Sequence, residues 1–259
     1  MKRLGLMAAV LFVMAETAEA AKCGNTGAGF QAWKQAFASE AEANGVGPKG
    51  LRALEATTYA TATIKADRNQ KSFKLSLEQF LEKRGAATII AQGKKQKAKN
   101  AKLFTSLEKR FGVAAGPLIA IWGMETAFGA YMGSQNTVSA VATLAYDCRR
   151  TEFFTEQLVD ALKLVDEGIL SSSSKGAMHG ELGQTQFLPK NVFLYGADGD
   201  GGGINLNNKA DALASTARFL NGHGFPGSGP YGAGDFAGWN AATVYQKALA
   251  IMANKIDGH

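Results

Sequence analysis

Histidine is scarce in this chain: His179, His223 and His259 are all there are. None has a cysteine or a second histidine at zinc spacing, so a His-based metal centre lacks its parts. A serine run at 171–174 reads as loop, and no G-x-S-x-G turn exists to carry a serine nucleophile. Neither G-x-G-x-x-G nor a P-loop occurs, which leaves nucleotide phosphates without a cradle. Cysteine is equally rare. Cys23 and Cys148 make one disulfide in an oxidising compartment, or two core thiols in a reducing one. Beyond the N-terminus no segment reaches the roughly 18 apolar residues of a spanning helix. What survives these exclusions is acid–base chemistry by carboxylates.

The N-terminus points to export. Lys2 and Arg3 precede an apolar run from Leu4 to Met14, and Ala18-Glu19-Ala20 offers a small-x-small cleavage site. Residues 1–20 are therefore expected to be a signal peptide, and 21–259 the mature catalytic domain. Lys22 directly before Cys23 is wrong for lipid attachment, so no membrane anchor is expected. The leader removes Lys2 and Arg3 together with Glu16 and Glu19, so the net charge of +6 is kept. Outside the cytoplasm, a basic protein suits an anionic wall polymer; the alternative is that the charge only aids solubility. Lys94, Lys95, Lys97, Lys99, Lys102, Lys109 and Arg110 form a basic run without interleaved aromatics. It reads as a solvated helix face and gives no support to nucleic-acid binding.

The fold class expected is mainly α, with glycine-rich loops and at most a small β element. "FQAWKQAFASEAEANG" spaces Phe30, Trp33 and Phe37 on one face and stops at Asn44-Gly45. "KNAKLFTSLEKRFG" aligns Leu103, Phe104, Leu107 and Phe111. "TEFFTEQLVDALKLVDEG" carries the stripe Phe154, Leu158, Ala161, Leu162 and Val165, with Thr151 as candidate cap and Gly168 as stop. "DALASTARFLNGHG" and "AATVYQKALAIMANKI" are further helices. Gly, Ser and Pro gather in the loops around 168–183, 195–208 and 221–236, where a long groove can be lined.

One residue breaks a pattern. From Phe111 to Tyr146, Glu125 is the only charged side chain, although a chain with 19% charged residues should place about seven in those 36 positions. Pro117 suits the first turn of a helix that continues through Leu118, Ile119, Ile121, Trp122 and Met124, with Glu125 near its end. Apolar burial and the negative end of a helix both favour the protonated form, and no cation stands nearby in the sequence. Such an acid is what a glycosidase-type proton donor requires. The alternative is a partly exposed Glu bonded to a helix end.

Five stretches then occur in an order that resembles the lytic murein transglycosylases of the B type: "IWGMETAFGAYMG", "AVATLAYDCRRTEFFTEQL", "GELGQTQFLP", "DGDGGGINLNNKADALAS" and "WNAATVYQ", with "DRNQKSFKLSLEQFL" upstream. The resemblance runs from about residue 26 to about residue 256. It implies a lysozyme-like helical fold in the periplasm. It implies cleavage of the β-1,4 bond between N-acetylmuramic acid and N-acetylglucosamine in peptidoglycan, leaving 1,6-anhydro ends. The catalytic Glu of the family falls on Glu125, its substrate-binding Gln on Gln186 and its binding Asn on Asn240, with Tyr245 a further substrate-binding candidate.

Three departures from the family pattern stand out. Gly176-Ala177 replaces a common Gly-Ser, which removes one polar contact. Glu181 replaces a small residue; it is read as a surface or loop carboxylate, or else as a second acid in the groove that would favour hydrolysis. "DGDGGGIN" resembles a calcium loop with Asp198 and Asp200 in place, but Gly202 interrupts the acidic pattern, so weak calcium binding or none is expected, with a turn of two solvated acids as the favoured reading and no other cofactor. Two competing readings remain open: a hydrolytic muramidase, and a non-catalytic peptidoglycan-binding protein.

Overall fold

The computed structural model describes residues 21–69 and 75–259. The expected signal peptide and the middle of the 67–81 motif lie outside the described residues. The elements run α1 (Phe30–Ala43), α2 (Pro48–Glu55), α3 (Thr61–Arg68), α4 (Leu77–Lys83), α5 (Ala86–Lys99), α6 (Ala101–Phe111), α7 (Ala115–Thr126), β1 (Gln135–Asn136), α8 (Thr137–Tyr146), α9 (Thr151–Asp166), β2 (Lys175–Gly176), α10 (Pro189–Tyr195), α11 (Lys209–Gly222) and α12 (Thr243–Asp257). The two short strands pair antiparallel, Gln135 opposite Gly176 and Asn136 opposite Lys175. Mainly helical, with a minimal β element, is thus the observed class. None of the described helices is long and apolar enough to cross a membrane.

The helices form where apolar spacing predicts them. In α9, Phe154, Leu158, Ala161, Leu162 and Val165 are all buried. Burying each larger side chain of that stripe stabilises the fold by about 1.5–3 kcal/mol, so Leu158→Ala would cost about 2–5 kcal/mol. The expected Thr151 cap is not made. Arg150 occupies the N-cap position without a side-chain bond, and Thr151 Oγ1 instead donates to the Asp147 carbonyl at 2.9 Å. Thr151 is already helical, so that carbonyl one turn back is its nearest acceptor.

Two apolar cores result. One gathers α1, α2, α3, α8 and α9 around Phe37, Leu54, Phe154 and Leu158. The other packs α4, α5, α6, α11 and α12 around α7. Every residue of α7 except Glu125 is buried, which is why its sequence is apolar on all sides. Cys23 and Cys148 form a disulfide across 125 residues of chain, beside a bond from Gly24 N to the Tyr146 carbonyl. By the loop-entropy model, closing so long a loop stabilises the fold by at most ~5 kcal/mol.

The basic run lies on α5 and α6 with most of its cations in solvent. Lys97 is tied to Asp257 at 2.6 Å, and Arg110 donates to the Asp198 carbonyl at 2.7 Å.

Candidate active site

Glu125 is the last residue but one of α7, and the turn after it is strained. Ala127, Phe128 and Gly129 take positive φ of 48°, 62° and 87° in succession. Such a conformation is costly for Ala and Phe, and it persists because the surroundings fix it. Ala127 N donates to the Gly123 carbonyl and Phe128 N to that of Trp122, closing the helix end. Thr126 Oγ1 donates to the Gln184 carbonyl at 2.6 Å and accepts from Gly129 N at 2.9 Å. Gln184 Oε1 accepts from Trp122 Nε1 at 2.8 Å. Thr126 and Gln184 thereby lock the end of α7 to the loop at 182–187. That loop is a tight reversal in which Leu182 and Phe187 exchange both backbone bonds.

One oxygen of the Glu125 carboxyl is held and the other is not. Oε1 accepts from Tyr245 Oη at 2.6 Å and from Trp239 Nε1 at 3.0 Å. Among the described residues Oε2 accepts no hydrogen bond, and it is not among the sealed polar atoms without a partner. Oε2 is therefore the oxygen with access to solvent. Burial pushes the Glu125 pKa above the usual carboxylate value and Glu181 adds to that, while the Tyr245 and Trp239 bonds and the Arg84 charge oppose it; the net direction is upward. The sequence reading overlooked Arg84, which reaches the site from the end of α4. Tyr245 is held as a donor, because burial and the Glu125 charge push its own pKa well above that of a free phenol.

Glu125 lines two clefts with otherwise different walls. The first, about 270 Å³, is shared with Glu181, Gln186, Asn191, Trp239 and Asn240. The second, about 460 Å³, is lined by Lys83, Arg84, Gln92, Phe128 and the exposed Tyr131. A carboxyl at the junction of two open clefts suits a long polymer better than a small molecule. Gln186 and Asn240 thus share a wall with the acid. Gln186 sits at φ 56°, and its amide nitrogen donates to the Gly183 carbonyl at 2.8 Å. Asn240 Oδ1 caps Ala242 N at 2.9 Å, and its side-chain nitrogen makes no bond among the described residues. Tyr245 is placed behind the acid and not in the cleft wall: it is 5% exposed, with its hydroxyl on Glu125.

Glu181 lies in the loop after β2, and its side chain lines the cleft that holds Glu125. Ala177 N donates to its carbonyl at 2.9 Å, which closes the turn at 177–181. The loop at 198–211 closes on itself. Asp211, missed in the sequence reading, joins Asp198 and Asp200, with ligand oxygens within 4.8 Å of one another. Asp198 takes the N–H groups of Asp200, Gly201 and Gly203, and Asp211 those of Gly199 and Asn205. Asp200 takes the Gly202 N–H and the Asn208 amide. Each of these oxygens accepts a loop donor, and the three carboxylates lie close enough together to hold a metal ion between them.

A helical frame around one half-shielded carboxyl at the meeting of two clefts is a lysozyme-like architecture. The model of the transglycosylase SLT domain matches residues 29–234, and the chain belongs to that family. It is 35% identical over 118 residues to the membrane-bound lytic murein transglycosylase B of Escherichia coli K12. That match covers 44% of this chain, and the chain spans about a third of the length of the relative (33%). The structure of SltB3 from Pseudomonas aeruginosa in complex with NAG-NAM-pentapeptide superimposes with a TM-score of 0.79 at 27% identity, covering 89% of this chain and 80% of the other. Slt35 of E. coli in complex with calcium shares the fold, with a TM-score of 0.78 at 18% identity over 92% of this chain and 96% of the other.

Proposed function

We propose that the protein is a periplasmic lytic transglycosylase of peptidoglycan. On this reading it cuts the β-1,4 bond between N-acetylmuramic acid and N-acetylglucosamine and leaves a 1,6-anhydro end. The observation that carries this is the divided carboxyl of Glu125, with Oε1 clamped by two donors and Oε2 open, in a setting that holds a proton. The family membership supports the substrate, as does the NAG-NAM-pentapeptide bound by SltB3.

Glu125 gives its proton to the glycosidic oxygen, and the bond from that oxygen to C1 breaks. The N-acetylglucosamine leaves with a free 4-hydroxyl. The oxocarbenium-like C1 is stabilised by the 2-acetamido carbonyl of the same sugar. Glu125, now ionised, takes the proton of the C6 hydroxyl as O6 bonds to C1. The acid is restored and no water is consumed, so a single carboxylate carries both proton transfers. This differs from the usual two-carboxylate glycosidase. Gln186 and Asn240 would orient the acetamido and hydroxyl groups.

Mass spectrometry of digested sacculi tests the reading. Anhydro ends, one water lighter than reducing ends, are the expected product. Reducing ends would instead establish a hydrolytic muramidase, a second reading favoured by the presence of Glu181 in the same cleft. Intact sacculi carrying bound protein would show a non-catalytic binder.

A further inference from the structure

The cleft that holds Glu125 contains a second carboxylate, and its position is fixed with some care. Backbone and side chain of Glu181 are both constrained. Its carbonyl accepts from Ala177 N and lies where a Cβ on Gly176 would meet it at 2.1 Å, so only glycine fits at 176. Its Oε2 accepts from His179 N at 3.0 Å, and its Oε1 faces His179 Nδ1 at 3.2 Å. An ionised carboxylate only accepts, so Nδ1 carries the proton in that contact. The far side of the ring faces Asp67, with Nε2 at 3.9 Å.

Asp67 and Glu181 contrast in how their charges are balanced. Asp67 is buried and neutralised by Arg149 at 2.8 Å and Arg150 at 2.9 Å. Glu181 keeps a quarter of its side chain exposed (26%), and among the described residues no Lys or Arg lies within ion-pair reach of it. Its charge is left to act on the cleft. Burial pushes its pKa up, but the His179 contacts and the backbone N–H of Glu181 together outweigh burial and the net direction is down. The two acids of the cleft are therefore driven apart, Glu125 toward holding a proton and Glu181 toward losing one. Paired acids whose environments separate them in this way mark donor and charge-stabiliser roles. The Glu181 charge also helps keep the proton on Glu125.

We propose that Glu181 is a second catalytic residue, a carboxylate that stabilises the positive charge developing at C1 as Glu125 protonates the leaving oxygen. It forms no covalent bond and activates no water. His179 is its positioning residue. The inference rests on the glycan-cleaving reading above and adds a group that the one-carboxylate mechanism does not use.

Glu181→Gln keeps the size of the side chain and its acceptor oxygen but removes the charge. The expected result is a loss of kcat on the order of 10²-fold, with KM within a few-fold, Tm unchanged and the share of anhydro product unchanged. Wild-type kcat in this variant would overturn the proposal by reducing Glu181 to a brace for the 177–181 turn. A change in product from reducing to anhydro ends would also overturn it, by assigning Glu181 to water activation. If Glu181→Gln does not fold, His179→Ala and His179→Asn decide. Asn keeps a donor near the Nδ1 position, so a kcat lost in Ala and restored in Asn supports the proposal, and equal kcat in both refutes it. An inactive wild-type protein would sink the glycan-cleaving reading itself, a failure separable from these.

Discussion

Glu125→Gln should make the protein inactive at every pH, and more stable only above a certain pH. The amide has the shape of the acid, and its oxygen still accepts from Tyr245 and Trp239. What it lacks is the charge. Burial raises the folded-state pKa of Glu125, so the folded chain holds this proton more tightly than the unfolded chain. Stability from that proton is fully present below the unfolded pKa and is lost as pH rises through the folded one. The wild type therefore carries a penalty at pH 8 that is absent at pH 4. A shielded charge with one oxygen lacking a protein partner costs on the order of 1–3 kcal/mol. In a chain of this size that corresponds to a Tm higher by about 2–12 °C in the variant at pH 8. Differential scanning calorimetry at pH 4 and pH 8 measures the gap, and muropeptide release measures turnover, expected to fall about 10²–10⁴-fold or more. An equal gap at both pH values, or a less stable variant at pH 8, would refute the claim that the site disfavours the charge. Substantial turnover would remove Glu125 from the chemistry.

Tyr245→Phe removes the 2.6 Å bond that favours the ionised form; the basic limb of the pH–rate profile should move to higher pH. Replacing Cys23 and Cys148 by serine should cost about 2–5 kcal/mol in urea unfolding, with the wall-cleaving activity of the surviving folded fraction unchanged. Asp67→Asn leaves Arg149 and Arg150 competing for one neutral oxygen and should destabilise by about 2–3 kcal/mol, read from the same unfolding curves. Isothermal calorimetry with calcium should show no micromolar binding, because the oxygens of Asp198, Asp200 and Asp211 already face loop N–H groups; micromolar affinity would mean the loop reopens.

Local order was legible where a single periodicity decides it. Trp33, Phe37, Phe104, Leu107, Leu158 and Leu162 are buried on the faces their spacing indicates. The charge-free stretch around Glu125 was legible because α7 is enclosed, and enclosure excludes unpaired charge. What could not be read were partners from distant parts of the chain. Arg84 enters from α4 and Trp239 and Tyr245 from the far end, so a search for cations near residue 125 in the sequence could not find the first. The place of Glu181 was left open for the same reason. Its loop composition does not separate surface from groove, and the cleft wall it joins is built from α7 and the chain near residue 239. Asp211 was missed because its spacing departs from a regular calcium loop, while its side chain does the closing.

The balance at Glu125 follows from what one residue must do twice. A carboxyl buried without donors would hold its proton but could not bear the ionised state that follows bond cleavage. A carboxyl with donors on both oxygens would be ionised from the start and have nothing to give. Here both donors converge on Oε1, which makes the ionised state reachable, while Oε2 stays free to deliver and recover the proton. Both donors lie at the start of α12 or in the turn before it, and α12 packs directly on α7. The docking of those two helices therefore sets the proton affinity of the acid. A core substitution on α12, such as Leu249→Ala, would be felt in the pH–rate profile as well as in stability.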